Sequence, residues 1–113
     1  MAISAIEELE LNTKIAKANV SKGKVLQRLL KNQDFQEIIG KGYLEQEAIR
    51  LVHLKAAFDK QDSEHQVAIT KAIDAIGILK NYLDTIFVLH DQAIKELEMN
   101  STTYEEILRE DIQ

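Results

Sequence analysis

The second half of this 113-residue chain carries an apolar pattern that constrains the fold more than any other feature. Between residues 72 and 97, apolar or small side chains and one histidine recur at alternating steps of four and three. This spacing places them on one side of an α-helix and is the spacing of coiled-coil seams. The predicted seam comprises Ala72, Ile76, Leu79, Leu83, Ile86, His90, Ala93 and Leu97. We therefore expect a long amphipathic helix over residues 64–98.

A similar but less regular pattern marks the first half of the chain. Apolar or small residues follow the same rhythm, interrupted once by Lys22. A lysine within a seam snorkels towards water or specifies the register of the pairing. The predicted seam residues here are Leu11, Ile15, Ala18, Val25 and Leu29. We expect a helical arm over residues 4–58.

The few helix-breaking residues define the rest of the predicted architecture. Proline is absent, and Gly40 and Gly42 are close enough to weaken the first arm, so we expect a bend there. Gly77 predicts close packing against another backbone. The polar stretch "DKQDSEHQ" predicts a turn over residues 59–63, and Asn100 predicts the end of the second arm. The predicted fold is all-α: a single domain forming an antiparallel helical hairpin, followed by a short acidic helix over residues 102–112.

The residue types exclude most catalytic and metal-binding chemistry. There is no cysteine, so thiolate metal sites and cysteine nucleophiles are excluded. The three histidines form no pair at metal-binding spacing, and His90 in the seam is better explained as a packed core residue. "GKG" lacks the longer frame of a phosphate-binding loop. We predict a protein that is not an enzyme and uses no cofactor. No apolar run is long enough to span a bilayer, which favours a cytosolic location.

Basic residues are concentrated in one short segment of an otherwise acidic chain. Residues 14–31 contain six cations and no anion, although the net charge of the whole chain is −5. Five of these cations share one helix side, about a quarter turn from the predicted seam. We call Lys14, Lys17, Lys24, Arg28 and Lys31 the basic stripe.

Three kinds of partner could bind the basic stripe. A nucleic acid is disfavoured because the other 95 residues have a net charge of −11 (eight basic, nineteen acidic), and because no aromatic side chain interleaves with the stripe for base stacking. A membrane surface is disfavoured because Ala18 and Lys22 occupy the middle of the apolar side. The favoured partner is an acidic protein surface, since charges beside a coiled-coil seam select partner and orientation. The acidic C-terminal segment, within the chain or from another copy, is one such surface.

Two segments resemble a group of short helical proteins encoded in tailed-bacteriophage genomes. The segments are "LLKNQDFQEIIGKGYLEQEAIRLVHLKA" (residues 29–56) and "IDAIGILKNYL" (residues 73–83). The resemblance lies in the NxDF start, the Gly-Tyr-Leu step, "EAIRLVHLKA" and "IDAIG". It implies a phage product without an enzymatic site, located in the host cytoplasm or incorporated in the virion. It leaves the basic stripe and the acidic C-terminal segment outside the match.

The two arms carry more apolar surface than a single groove between them can bury. Side chains beside the seams remain exposed in a lone hairpin, and self-association is the simplest way to cover them. We therefore predict a structural or assembly protein of a tailed phage that forms homo-oligomers and contacts other phage proteins. The alternative is an early phage protein that binds a host protein through the basic stripe, and a third, weaker reading is nucleic-acid binding.

Overall fold

In a computed structural model that describes residues 2–112, the chain is helical apart from short connections. None of the described residues lies in a strand, so the predicted all-α class is confirmed. The helices are α1 (Ala2–Leu30), α2 (Gln33–Phe35), a π-helical segment (Gln36–Glu47), α3 (Ala48–Lys55), a 3-10 turn (Phe58–Lys60) and α4 (Ser63–Ile112).

The chain divides into two compact units. The terminal unit consists of the residues up to Leu26 together with those from Thr85 onward, and the central unit spans Gln27–Asp84. In the terminal unit, α1 lies along the last part of α4. Thr13 contacts Asn100, and Gly23 lies against His90. A step of ten residues towards the C-terminus of α1 thus corresponds to a step of ten residues towards the N-terminus of α4. The predicted antiparallel pairing is therefore present within this unit.

The core of the central unit joins α3 to the first part of α4. Leu51, Ile69 and Ile76 are buried and form one apolar cluster. Partly buried side chains pack around this cluster from the π-helical segment, α3 and α4: Tyr43, Leu44, Ala48, Leu54, Ala72 and Ile73. Each of these side chains removes apolar surface from water, which is the main favourable contribution to folding.

Side chains satisfy the free backbone groups at the connection between α3 and α4. The Gln66 side-chain amide donates to the carbonyls of Lys55 (2.9 Å) and Lys60 (2.8 Å), and the Gln61 amide donates to the Lys55 carbonyl (3.0 Å). Helix ends leave such carbonyls without partners inside the helix. The glutamines therefore fix the turn that brings α3 back against α4.

Asp62 caps the start of α4. Its carboxylate accepts a hydrogen bond from the His65 backbone N–H at 3.1 Å, and its other oxygen lies 2.6 Å from Nδ1 of His65. This is the arrangement of an N-cap residue, which satisfies one of the free N–H groups of the first turn. The backbone N–H and then the side chain of His65 lower the pKa of the Asp62 carboxyl below its ordinary value.

The structure shows where the helices of the two predicted arms begin and end. The first arm is divided near Asn32: α1 ends at Leu30, and the Asn32 side chain caps a new helix by accepting the Phe35 N–H at 2.9 Å. The second arm does not end at Asn100. Helix α4 continues through it to Ile112, so the predicted separate helix over residues 102–112 is part of α4.

Gly40 and Gly42 lie inside a continuous π-helical segment and do not interrupt it. A Cβ added at Gly42 would lie 2.8 Å from the backbone carbonyl oxygen of Glu37, five residues earlier. In a π-helix the residues five apart are hydrogen-bonding partners, so this carbonyl approaches closely. Glycine at this position therefore permits the widened turn.

Candidate interaction surfaces

The α1 residues that pack against α4 are not the ones that the apolar rhythm predicts. Ala16, Gly23 and Leu26 are buried, and Leu9 and Val20 are half-buried. Ala16 and Gly23 are seven residues apart, as are Ile86 and Ala93 on α4, which is the repeat of a coiled-coil seam. The real seam of α1 thus includes its smallest residues, which let the two backbones approach.

The predicted seam of α1 lies on its solvent-facing side. The exposed fractions are 58% for Leu11, 53% for Ile15, 49% for Val25 and 42% for Leu29, and Ala18 is exposed as well. These side chains do not form the contact between α1 and α4, and their predicted role as a seam for an oligomer or another partner stays a prediction. We call Leu11, Ile15, Ala18 and Val25, which belong to the terminal unit, the apolar stripe.

The predicted seam of α4 does face its packing partners. Ile76 and Ile86 are buried, and four other members are half-buried: Ala72, Leu79, Leu83 and Leu97. The regular spacing on α4 therefore identified the right side of the helix. The irregular spacing on α1 did not identify the right side of that helix, because the large apolar side chains form a stripe on the side that faces away from α4.

His90 is the buried polar residue of the seam, as its position predicts. It is 8% exposed, and its Nδ1 lies 3.0 Å from a carboxylate oxygen of Asp91. Its ring lies directly over Gly23, where an added Cβ would come within 2.4–2.6 Å of three atoms of His90. Gly23 is thus a packing residue that the sequence analysis missed, and a glycine seven residues from Ala16 was the available signal.

Gly77, by contrast, does not perform its predicted role. No heavy atom of the described chain lies within 4 Å of the position that its Cβ would occupy, and the residue is exposed. The prediction of close packing at Gly77 within the chain is wrong.

All five members of the basic stripe are exposed. Among the residues that the structure describes, Lys14, Lys17, Lys24, Arg28 and Lys31 take part in no ion pair or side-chain hydrogen bond. The acidic end of α4 therefore does not neutralise them within the chain, and their charges remain available to a partner.

A groove in the terminal unit brings cations and anions together. It has a volume of about 750 Å³ and runs between α1 and the last part of α4. Its lining includes Glu10, Lys14, Lys17, Leu97, Tyr104 and Glu105. In the same lining, the Asn100 side-chain amide donates to the Thr13 hydroxyl at 3.3 Å and links the two helices. The surface is mainly apolar, with charges of both signs along its edges.

The described residues contain no grouping suited to metal binding. Within residues 2–112, no three histidine or carboxylate side chains gather closely enough to hold a metal ion. No helix in this range combines the length and the apolar character needed to cross a lipid bilayer. The surface features that stand out are the apolar stripe, the basic stripe and the groove.

Comparisons of this chain with protein-family models, with curated proteins and with solved structures find no match.

Proposed function

We propose that this chain is a non-enzymatic assembly protein that acts by helix-mediated self-association. The observation that carries the proposal is the apolar stripe of α1, whose members recur at coiled-coil spacing yet face solvent. Contiguous apolar surface on a soluble monomer is rarely large, and a stripe of this kind marks an interaction surface. Another helix laid along it would bury Leu11, Ile15 and Val25 together.

Burial of several side chains of the apolar stripe together would supply the free energy of association. Full burial of a Val, Leu or Ile side chain contributes about 1.5–3 kcal/mol relative to exposure in water. The stripe residues are about half exposed, so each contributes roughly half of that range when a partner covers it. Several such contributions are needed to offset the lost translational and rotational freedom of two molecules. The apolar stripe, interrupted by Lys22, gathers such side chains on one side of α1, whereas scattered apolar residues do not.

The biological setting of the proposal rests on the sequence resemblance alone. The segments "NQDF", "EAIRLVHLKA" and "IDAIG" support a product of a tailed bacteriophage. In that setting the protein assembles with itself and with other phage proteins in the host cytoplasm, and is a virion component or an assembly factor.

A second candidate function uses the basic stripe. Its five cations are exposed and have no partner among the described residues, which favours an acidic surface on a host protein. Such charges speed and orient an encounter more than they strengthen the complex. Binding of an early phage protein to a host target is the alternative that this observation supports. Nucleic-acid binding is a weaker candidate, since acidic residues prevail in the rest of the chain.

Analytical ultracentrifugation of Ile15→Ser tests the proposed self-association. We expect the natural chain to be oligomeric at micromolar concentration and the variant to associate at least about tenfold more weakly, a change of about 1.4 kcal/mol. The matched control is Ile78→Ser, since Ile78 is also exposed but lies on α4 in the central unit. A natural chain that remains monomeric throughout this range would contradict the proposal, as would equal effects of the two substitutions.

A further inference from the structure

The side of the terminal unit that bears the groove carries two parallel rows of opposite charge. On α1 the row consists of Lys14, Lys17 and Lys24; on α4 it consists of Asp91, Glu98 and Glu105. Lys14, Lys17 and Glu105 line the same groove, which places both rows on one side of the helix pair. Lys24 lies seven residues beyond Lys17, and Glu98 and Asp91 lie seven and fourteen before Glu105. In a coiled-coil pair, residues seven apart share a helix side. We call this surface the charged face.

Two cations of the α1 row lie close along the helix axis to two carboxylates of the α4 row. The contacts of Thr13 with Asn100 and of Gly23 with His90 fix which positions lie at the same height. With this pairing, Lys17 and Glu98 are offset by two residues along the common helix axis, and Lys24 and Asp91 are offset by two residues as well. Two residues correspond to about 3 Å along a helix axis. Each of these cations thus has a carboxylate near its own height on the other helix.

These charges nevertheless remain unpaired within the chain. In the part of the molecule that the structure describes, no nitrogen of Lys14, Lys17 or Lys24 lies within 4 Å of a carboxylate oxygen. The groove separates the rows, and apolar side chains border it. Tyr104 lines the groove and is 38% exposed. Ile94 and Leu108 are each 40% exposed, and they lie seven residues before and seven residues after Ser101, which also lines the groove. The charged face thus has an apolar middle and oppositely charged edges.

We propose that the charged face binds a second copy of this chain across a twofold axis parallel to the helices. Rotation about such an axis leaves the position of every residue along the helix axis unchanged. It places α1 of one copy opposite α4 of the other. The basic row of each copy then lies opposite the acidic row of the other, with Lys17 facing Glu98 and Lys24 facing Asp91 of the second copy. A twofold interface requires one patch that complements itself, and this face meets that requirement.

Charge complementarity also selects the second copy over other occupants. A nucleic acid or a strongly acidic protein would meet the acidic row of α4 as well as the basic row of α1, and like charges across an interface are costly. Two exceptions adjoin the rows: Arg109, one turn beyond Glu105 on α4, and Glu10 on α1, which lies near the height of Glu105. Lys14, one turn further along α1, places a cation beside that pair of carboxylates. Another copy of the face therefore matches both rows.

The two components of the interface have different roles. An exposed ion pair contributes only about 0.2–1 kcal/mol, so the rows determine orientation and partner more than affinity. Burial of Ile94, Tyr104 and Leu108 supplies the apolar contribution. The inference rests on the proposed self-association, but it uses a surface that shares no residue with the apolar stripe.

A charge-exchange experiment with the full chain tests this interface. One variant carries Lys17→Glu and Lys24→Glu, so that both rows are acidic except at Lys14; the other carries Asp91→Lys and Glu98→Lys, so that both rows are basic except at Glu105. Each variant alone retains only the apolar stripe as a docking site, so we expect it to form assemblies of lower mass than the natural chain in sedimentation velocity, and we expect an equimolar mixture of the two variants to restore the higher mass. The control for the acidic variant is Lys41→Glu with Lys71→Glu, which changes the net charge by the same amount at two exposed lysines of the central unit.

The outcomes separate this inference from the proposed function. Circular dichroism of each variant establishes that helix content is retained, and restoration in the mixture cannot come from unfolded chains. Variants that associate alone as strongly as the natural chain would overturn the interface and leave self-association through the apolar stripe in place. A mixture whose assemblies keep the lower mass of the separate variants would also overturn the interface. A natural chain that is monomeric at every concentration would overturn both.

Discussion

Gly23 and His90 determine how closely α1 and α4 approach in the terminal unit. The imidazole ring occupies the space that a side chain at position 23 would need. The sequence analysis placed His90 correctly in the seam because its spacing on α4 is regular. It missed Gly23, because hydrophobicity alone gives a glycine no weight in an apolar pattern. The contribution of glycine here is the absence of a Cβ, which becomes visible only once the neighbouring helix is in place.

We expect Gly23→Ala to destabilise the protein by about 1–3 kcal/mol, the usual cost of an atom forced into a packed core. The added Cβ meets the Cβ and Cγ of His90, which are fixed close to the backbone of α4 and cannot swing away. Denaturant unfolding followed by circular dichroism measures the change.

Gly77→Ala is the matched control for that substitution. Gly77 lies within the same long helix as His90, and the Cβ position is open. Alanine is the better helix former by about 0.5–1 kcal/mol, so this variant should be more stable than the natural chain. If both substitutions shifted the unfolding midpoint in the same direction, the assigned contact between Gly23 and His90 would be wrong.

Asp62 predicts a specific pH dependence of stability. Its pKa is lower in the folded chain than in the unfolded one, because the His65 backbone N–H and side chain stabilise the carboxylate. The stabilisation is therefore complete above the unfolded pKa, near about 4, and is lost as the pH falls through the lower folded value. Asp62→Asn keeps an acceptor for the His65 N–H but removes the titration.

Urea unfolding at a series of pH values compares the natural chain with Asp62→Asn. From about pH 5 downwards, the natural chain should lose stability faster than the variant. His65→Ala, which retains the backbone N–H, should show an intermediate slope, since only the side-chain contribution to the lowered pKa is removed. Parallel stability profiles of the natural chain and Asp62→Asn would contradict the role of Asp62 as a charged cap.

At the scale of the elements, the sequence analysis located helices better than their ends. Asn100 was expected to end α4, but its side chain donates to Thr13, and no non-glycine residue of the described chain has a positive φ. The hydroxyls of Thr102 and Thr103 donate to the carbonyls of Glu98 and Met99, one turn back, which is compatible with a continuing helix. The polar residues that mimic a helix end are therefore accommodated within α4.

The π-helical segment is an element that no periodicity in the sequence predicted. Widening a helix to five-residue hydrogen bonds changes the angular position of everything that follows it. Tyr43 and Leu44 lie inside this segment and pack against the central core, as does Ala48 at the start of α3. The two glycines were recognised as unusual, but their effect depends on the Glu37 carbonyl, whose position follows from the folded backbone.

We expect Gly42→Ala to cost about 1–3 kcal/mol of stability, because the added Cβ overlaps the Glu37 carbonyl and forces the widened turn to rearrange. A shift to α-helical pairing would rotate Leu44 and Ala48 away from the core. Thermal unfolding and amide hydrogen exchange over residues 36–47 would show the loss.

Gly40→Ala serves as the comparison for Gly42→Ala. Its added Cβ would meet only the tip of the Gln36 side chain, which donates to the Leu30 carbonyl at 2.6 Å. That side chain can move, at the cost of one hydrogen bond of about 0.5–1.5 kcal/mol. The gain in helix propensity from alanine offsets most of this cost. A larger loss for Gly40→Ala than for Gly42→Ala would contradict the assigned contacts.

At the scale of the whole molecule, the helical class and the antiparallel pairing within the terminal unit were predictable from composition and spacing. The side of α1 that faces α4 was not. The predicted residues lie on nearly the opposite side of α1 from the real seam, and the choice between the two sides depends on how well Ala16 and Gly23 fit the side chains of α4. The charged face is a property of both helices together. Its rows were visible in the sequence as a basic segment and an acidic segment, but their common height follows from the observed pairing of Thr13 with Asn100.

The apolar stripe and the charged face lie on different sides of α1 and have no residue in common. A subunit with two independent docking sites is bivalent, so its assembly need not stop at a pair. Such subunits add to one another in one dimension, and growth stops at a subunit in which one of the two sites is occupied or altered. Ile15→Ser and the doubly acidic Lys17→Glu, Lys24→Glu chain would then behave as chain terminators, and small amounts of either would shorten the polymers formed by the natural protein.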